Sequence, residues 1–196
     1  MSEAGTQIGI ARLRAGVTAP TPAGPTTPTA ATAVDIDAVR RALAEVMDPE
    51  LPMLSVVDLG IVHRLEVSAP DGVIRVEILP TFVGCPALEL IKTSIADRLA
   101  AFGRPVEVTA TFEVPWTSER ISPAGRRALL AAGIAPPTAG IEDGGGAALI
   151  DLEPRVPCPH CGSRRTTLEN VFGPTQCRTI RYCTNCRQPF EAIKPV

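Results

Sequence analysis

Residues 61–112 read IVHRLEVSAPDGVIRVEILPTFVGCPALELIKTSIADRLAAFGRPVEVTATF. Ile61, His63, Leu65 and Val67 alternate with Val62, Arg64 and Glu66, the two-residue period of a half-buried strand. Pro70-Asp71-Gly72 supplies turn residues. Ile74, Val76 and Ile78 then alternate with Arg75 and Glu77, so the two segments read as a hairpin. The period changes after Pro80. Leu88, Ile91, Ile95, Leu99 and Phe102 trace a helical stripe over Pro86–Phe102, and Gly103 stops it. Val106, Val108, Ala110 and Phe112 alternate with Glu107, Thr109 and Thr111, a third strand.

The flanks extend this pattern. Val34, Ile36, Val39, Leu43, Val46 and Met47 follow helical spacing over 34–47, with Asp35 or Asp37 as cap. Asp48-Pro49 is expected to end that helix, because proline disfavours the helical region in the residue before it. Ser122-Pro123 reads as an N-cap with proline at the first helical position, and Gly133 closes the short helix. The order α-β-β-α-β-α predicts an α+β domain over residues 34–137. Its sheet should be small, three-stranded, mixed or antiparallel, with helices on one face.

The remainder divides by composition. Residues 18–33 contain only Thr, Ala, Pro and Gly, so they bury nothing large, and 1–33 reads as a disordered tail. Residues 138–154 hold a Gly run and read as a flexible linker. Residues 1–154 carry 12 Lys/Arg against 19 Asp/Glu, whereas 155–196 carry 7 against 2. Five of the six cysteines lie in that basic segment, which marks it as a separate unit. The 45% hydrophobic content excludes wholesale disorder. No apolar run approaches the roughly 18 residues of a membrane span, and no basic stretch followed by an apolar one opens the chain. The expected compartment is the cytoplasm, where cysteines serve as ligands or reactive thiols rather than disulfides.

Residues 155–196 hold Cys158-Pro159-His160-Cys161 and, after 21 residues, Cys183-Thr184-Asn185-Cys186. Two such turns aim four sulfurs at one ion, the pattern of a zinc ribbon with a structural Zn²⁺. His160 inside the first knuckle reads as a surface residue. Cys177 is left over. It is either a small core residue or a second soft ligand working with Cys85.

Three loops carry the remaining chemistry. In Thr81–Ala87, TFVGCPA, Gly84 permits an unusual backbone and Pro86 suits a first helical turn. Cys85 is therefore placed at or beside a helix N-terminus, where free N–H groups and the dipole lower a thiol pKa from about 8.5 towards 3.5–7.5. Asp48-Pro49-Glu50-Leu51-Pro52 sets two carboxylates between stiffening prolines. Asp58-Leu59-Gly60 opens the first strand. Asp48, Glu50, Asp58 and Cys85 are expected to converge at one end of the sheet and offer O and S ligands to iron. A cap or turn role is the competing reading for each carboxylate. His63, on an apolar strand face, reads as a core histidine. Trp116 reads as a packing residue, with a partner-facing anchor as alternative.

In this order, Asp48–Pro52, Asp58–Gly60 and Thr81–Ala87 resemble the motif series of the metal–sulfur cluster assembly factor domain. Pro115-Trp116-Thr117, Gly133–Pro137, Phe172–Cys177 and Cys186–Phe190 extend the resemblance over about residues 36–195 to the D subunits of phenylacetyl-CoA epoxidase systems, the PaaD type. The resemblance implies a non-catalytic accessory role in aerobic phenylacetate catabolism, assisting the assembly or maintenance of an iron or iron–sulfur centre. It implies Cys85 as the family cysteine, Asp48 and Glu50 as the loop carboxylates, and the oxygenase or reductase subunits of the system as partners. Val83, Arg120 and Pro174 depart from residues common in the family; no cysteine is lost. A scaffold subunit of the oxygenase, an enzyme using Cys85 as nucleophile, and a nucleic-acid-binding ribbon are the competing readings. The acidic main segment argues against the last, and no membrane motif argues for a lipid partner. Whether Cys85 and Cys177 meet in space is left open by the sequence.

Overall fold

The Asp35 carboxylate accepts the Asp37 N–H and starts helix α1 (Ile36–Leu43), which buries Val39, Ala42 and Leu43. The structure is a computed structural model that describes residues 34–68, 72–137 and 156–195. The predicted tail, the turn residues Pro70 and Asp71, and the predicted linker lie outside the described residues. α1 is shorter than the predicted 34–47, and the cause is tertiary. The Val46 carbonyl accepts the Val56 N–H at 2.8 Å, and the Asp48 N–H donates to Leu54 O at 2.8 Å. Met47 pairs with Ser55 in an antiparallel bridge, so the chain leaves the helix well before Pro49.

Strand β1 (Val62–Val67) runs antiparallel to β2 (Ile74–Ile78), which runs parallel to β3 (Val106–Ala110). The sheet order is β1-β2-β3, so the mixed form of the predicted sheet is the one observed. Parallel neighbours require a crossover. Helix α2 (Leu88–Leu99) provides it, burying Ile91, Ile95 and Leu99 against Ile74, Val76 and Ile78 of β2. A 3-10 turn over Ala100–Phe102 and Gly103 at φ 64° end the helix as predicted. A bulge between Val62 and Arg64 leaves His63 half-buried at the irregularity. β3 stops at Ala110, level with the end of β2, and Phe112 is exposed instead of joining the apolar face.

Helix α3 (Pro123–Ala131) starts as expected, with the Gly125 N–H donating to Ser122 Oγ at 2.9 Å. After Gly133 the chain forms a two-residue strand, β4 (Ile134–Ala135). This strand belongs to a second sheet with β5 (Thr166–Asn170), β6 (Arg178–Cys183) and β7 (Gln188–Ile193), in the order β4-β7-β6-β5. β4 is parallel to β7, pairing Ile134 with Glu191 and Ala135 with Ala192. Ile134 and Ile193 are buried in the main core, while Ala135, Val156, Phe190 and Ala192 form a small second core with Cys158 and Cys183.

Gly60 shows why the Asp58-Leu59-Gly60 turn takes glycine. Its φ is +72°, and a Cβ there would lie 2.2 Å from the Arg120 carbonyl oxygen. Gly84 also has positive φ, but a Cβ there would meet nothing within 4 Å. Gly60→Ala should therefore cost about 3 kcal/mol or more, since strain and backbone overlap add, against about 1 kcal/mol for Gly84→Ala. Urea denaturation followed by circular dichroism reads both. Equal costs would mean that the Arg120 carbonyl does not set the requirement.

Candidate functional site

The ribbon's first knuckle is built by backbone bonds. The Cys158 N–H donates to Ser163 O at 2.9 Å and the Gly162 N–H to Cys158 O at 2.8 Å. The second knuckle closes where β6 turns into β7. The Arg187 N–H donates to Cys183 O at 2.8 Å, with Arg187 in the left-handed region at φ 60°. These turns bring four sulfurs together. Cys158 and Cys186 Sγ are 3.7 Å apart, Cys161 and Cys183 Sγ 3.6 Å, and all four lie within 4.8 Å of one another. A tetrahedral zinc site with Zn–S bonds of about 2.3 Å has S···S edges of about 3.8 Å. The donor set fits such an ion. The Ser163 N–H and the Asn185 amide hold the Cys161 thiol down to about 6. The Arg165 guanidinium in turn donates to Asn185 Oδ1. His160 is exposed and outside the cluster.

A second constellation lies at the end of the first sheet. Asp48, Glu50, Thr81, Cys85, Trp116 and Cys177 share the lining of a cavity of about 30 Å³ with apolar side chains such as Leu79 and Ile91. Cys85 is held in its turn by a bond from its N–H to Phe82 O at 3.2 Å. Asp48 is only 6% exposed, and its Oδ1 accepts the N–H groups of Glu50 and Leu51, both at 2.8 Å. It thereby locks the loop that presents Glu50. Trp116 is buried and donates its Nε1–H to Leu59 O at 3.0 Å, so it is a wall of the cavity rather than a surface anchor.

Cys177 reaches this cavity from the segment before β6. Arg178 fixes it there. Its guanidinium bonds Glu191 Oε2 at 2.7 Å, Thr175 Oγ1 at 2.8 Å and the Glu50 carbonyl at 3.3 Å. The structure thus brings together Asp48, Glu50 and Cys85, and adds Cys177. Asp58 stands apart. Its Oδ2 accepts from Ser55 Oγ at 2.9 Å and its Oδ1 from Ser122 Oγ at 2.6 Å, which ties the start of β1 to the start of α3. His63 does not line the cavity.

The expected low-pKa thiolate is not found. Helix α2 begins at Leu88, so Cys85 lies outside its first turn. Burial pushes the Cys85 thiol up, the Ala87 N–H opposes this, and Glu50, Asp48 and Cys177 add to the rise. Burial raises Cys177 too, with Thr175 and Arg178 opposing and Glu50 and Asp48 adding. Burial also raises Asp48, against the N–H groups of Leu51 and Glu50 and the Arg178 charge. Two thiol and two carboxylate residues thus share the lining of a space with room for about one or two water molecules. Among the described residues the ribbon sulfurs alone form a closed set of three or more ligand atoms. The second site has donors at hand without a closed shell. Sequence reasoning missed Arg178, whose position directly after the leftover cysteine was the available signal. No helix among the described residues is long and apolar enough to cross a membrane.

Residues 36–112 match the family described as iron-sulfur cluster assembly protein, and residues 143–194 that described as PaaD zinc beta ribbon domain. A protein of Escherichia coli strain K12, provisionally named as the D subunit of 1,2-phenylacetyl-CoA epoxidase, is 35% identical over 153 residues. The match covers 78% of this chain and 88% of that protein. An iron-sulfur cluster carrier protein of Mycobacterium bovis is 37% identical over 81 residues, which are 41% of this chain and 18% of its own. Among solved structures, a domain of unknown function from Bacillus anthracis covers 48% of this chain and 90% of its own at 26% identity and TM-score 0.45. A conserved hypothetical protein of Thermotoga maritima covers 48% and 92% at 33% identity and TM-score 0.43. The assembly-type sheet, the four-sulfur ribbon after it, and a relative matched across most of both lengths place the chain in one family: it belongs to the PaaD family of 1,2-phenylacetyl-CoA epoxidase D subunits.

Proposed function

We propose that the chain is a non-catalytic accessory subunit of a phenylacetyl-CoA epoxidase system, assisting assembly or maintenance of an iron or iron–sulfur centre. Its partners are the oxygenase or reductase subunits of that system, in the cytoplasm, where thiols stay reduced. One observation carries this reading: Cys85, Asp48 and Glu50 share a mostly apolar cavity without a closed ligand shell. A site of that kind suits iron that arrives and leaves as cargo. Cys85 supplies the soft ligand and Glu50 a hard one, while Asp48 shapes the loop. Asp58 serves the fold. The cavity lining contains no histidine, so the cysteine–histidine pair of a hydrolytic thiol is missing from it.

The ribbon cysteines Cys158, Cys161, Cys183 and Cys186 hold a structural Zn²⁺ in this reading. Four thiolates leave no position for water or substrate, so the ion supplies folding energy and no catalysis. Removing one ligand tests this. Cys183→Ala should lower zinc from one equivalent to almost none and open β5–β7 to hydrogen exchange, because structural zinc is worth on the order of 10 kcal/mol. Unchanged protection in those strands would show that the ribbon stands without its ion.

The cargo role is read from protein purified without oxygen. Wild type should carry one zinc plus iron, with or without labile sulfide. Cys85→Ser should keep the zinc and lose iron affinity by roughly tenfold or more. Epoxidase matured alongside the variant should be short of iron to match. Equal iron in both proteins and a fully loaded epoxidase would return Cys85 to a packing role and favour a scaffold subunit.

A further inference from the structure

We propose that Cys177 is the second sulfur ligand of the Cys85 site, which makes it a two-thiol site for a single thiophilic dication, assembled from both parts of the chain. This deepens the cargo reading of Cys85 and rests on it. The ribbon then has a role at the site beyond its own ion: it delivers a ligand.

The geometry supports this from several directions. Cys85 and Cys177 line the same cavity although 92 positions separate them in sequence. The backbone around Cys177 is held on both sides. The Lys194 N–H donates to Cys177 O at 2.9 Å, and Lys194 Nζ donates to Gln176 O at 2.5 Å. Thr175 Oγ1 lies 3.2 Å from the Cys177 sulfur and also accepts from Arg178 Nε. Arg178 reaches across to the Glu50 carbonyl, so the segment carrying Cys177 is tied to the loop carrying Glu50. A fixed backbone, an oriented thiol and a direct link to the opposing loop are more than a packing cysteine requires.

Cys177 also lines a second cavity, of about 100 Å³, with Thr81, Phe82, Trp116, Ile193 and Lys194. Phe82 in that lining is exposed. The inner cavity is large enough for one ion and its immediate ligands, and far smaller than a multi-iron cluster.

The chemistry selects the ligand class. Two thiols in a cavity that Glu50 also lines offer soft donors with a carboxylate in the same lining, suited to first-row dications such as Fe(II) rather than to Mg²⁺ or Ca²⁺. Binding is acid–base chemistry: the ion forms two metal–sulfur bonds and two thiol protons leave to solvent. No electron is transferred. Arg178 already engages Glu191, so the cation in the neighbourhood is partly neutralised and does not close the site to a dication.

The test uses full-length, zinc-loaded protein titrated with Fe(II) without oxygen, with the iron ligands counted by X-ray absorption. Wild type should take one Fe(II) with two sulfur ligands. Cys177→Ser and Cys85→Ser should each show one sulfur and bind roughly tenfold or more weakly, while retaining one zinc. If Cys177→Ser keeps wild-type affinity and two sulfurs while Cys85→Ser does not, the second ligand is elsewhere and the Cys85 reading survives alone. If both variants match wild type, or wild type takes no Fe(II), both readings fall. A second measurement needs no variant. A bis-alkylating bimane should bridge Cys85 to Cys177 in wild type, and bound Fe(II) should block the bridge. Failure to recover the bridged peptide overturns the pairing.

Discussion

The pairing of a two-residue strand with β7 joins the first part of this chain to the ribbon sheet. β4 contributes Ile134 and Ala135 as a parallel neighbour to β7, and that short pairing sets where the ribbon sits. A segment of about 40 residues cannot bury enough apolar surface alone. Here it solves the problem twice. Its four sulfurs converge at one end, and at the other Ile193 is buried in the core formed by α1, α2 and the first sheet. Once β7 is fixed at β4, β6 is fixed beside β7, and the residues entering β6 are fixed over the Asp48–Leu51 loop. Arg178 completes the arrangement by bonding Glu191 on β7 and Glu50 across the junction. Cys177 is where it is because of that chain of constraints.

This explains which features were legible in the sequence. The alternation of Ile74, Val76 and Ile78 and the stripe of Ile91, Ile95 and Leu99 are local patterns, and both elements lie where those patterns put them. The cysteine spacing is local in the same sense, since each knuckle is one turn. The length of α1 was not legible. Its continuation through Val46 is sound helical spacing, but the Val46 carbonyl is taken by Val56 in a return loop. Phe112 misled for a related reason: the alternation runs on after the partner strand has ended. The sharing of one cavity by Cys85 and Cys177 was the least legible feature, because it depends on a two-residue strand that no periodicity marks.

The protonation of Cys85 is a second case in which surroundings overrule position. A cysteine two residues before a helix N-cap invites the expectation of a stabilised thiolate. The structure gives it one favourable backbone group, Ala87 N–H, against burial and two carboxylates. Burial decides. Thiols kept protonated are poor nucleophiles and resist oxidation, since the thiolate is the reactive form. They still bind a metal, which displaces the protons. That combination suits the proposed cargo role, in which a dication would displace the thiol protons and a stronger ligand set would take it over.

The same logic separates the two sulfur sites by task. At the ribbon, four sulfurs lie within the spacing of one tetrahedral ion, so a bound ion would have its four positions filled. At the cavity, the donors come from three separate segments, the Asp48–Leu51 loop, the Thr81–Ala87 loop and the residues before β6. Two of these segments are tied to each other through Arg178 and the Glu50 carbonyl, which leaves the Thr81–Ala87 loop as the separate one. In the Thr81–Ala87 loop a Cβ at Gly84 would meet nothing within 4 Å, and Val83 beside it is 78% exposed, so packing constrains that part of the loop little. On the proposed reading the two sites divide the work: the four-sulfur ribbon holds the wall that carries Cys177, and the three-segment cavity exchanges the ion.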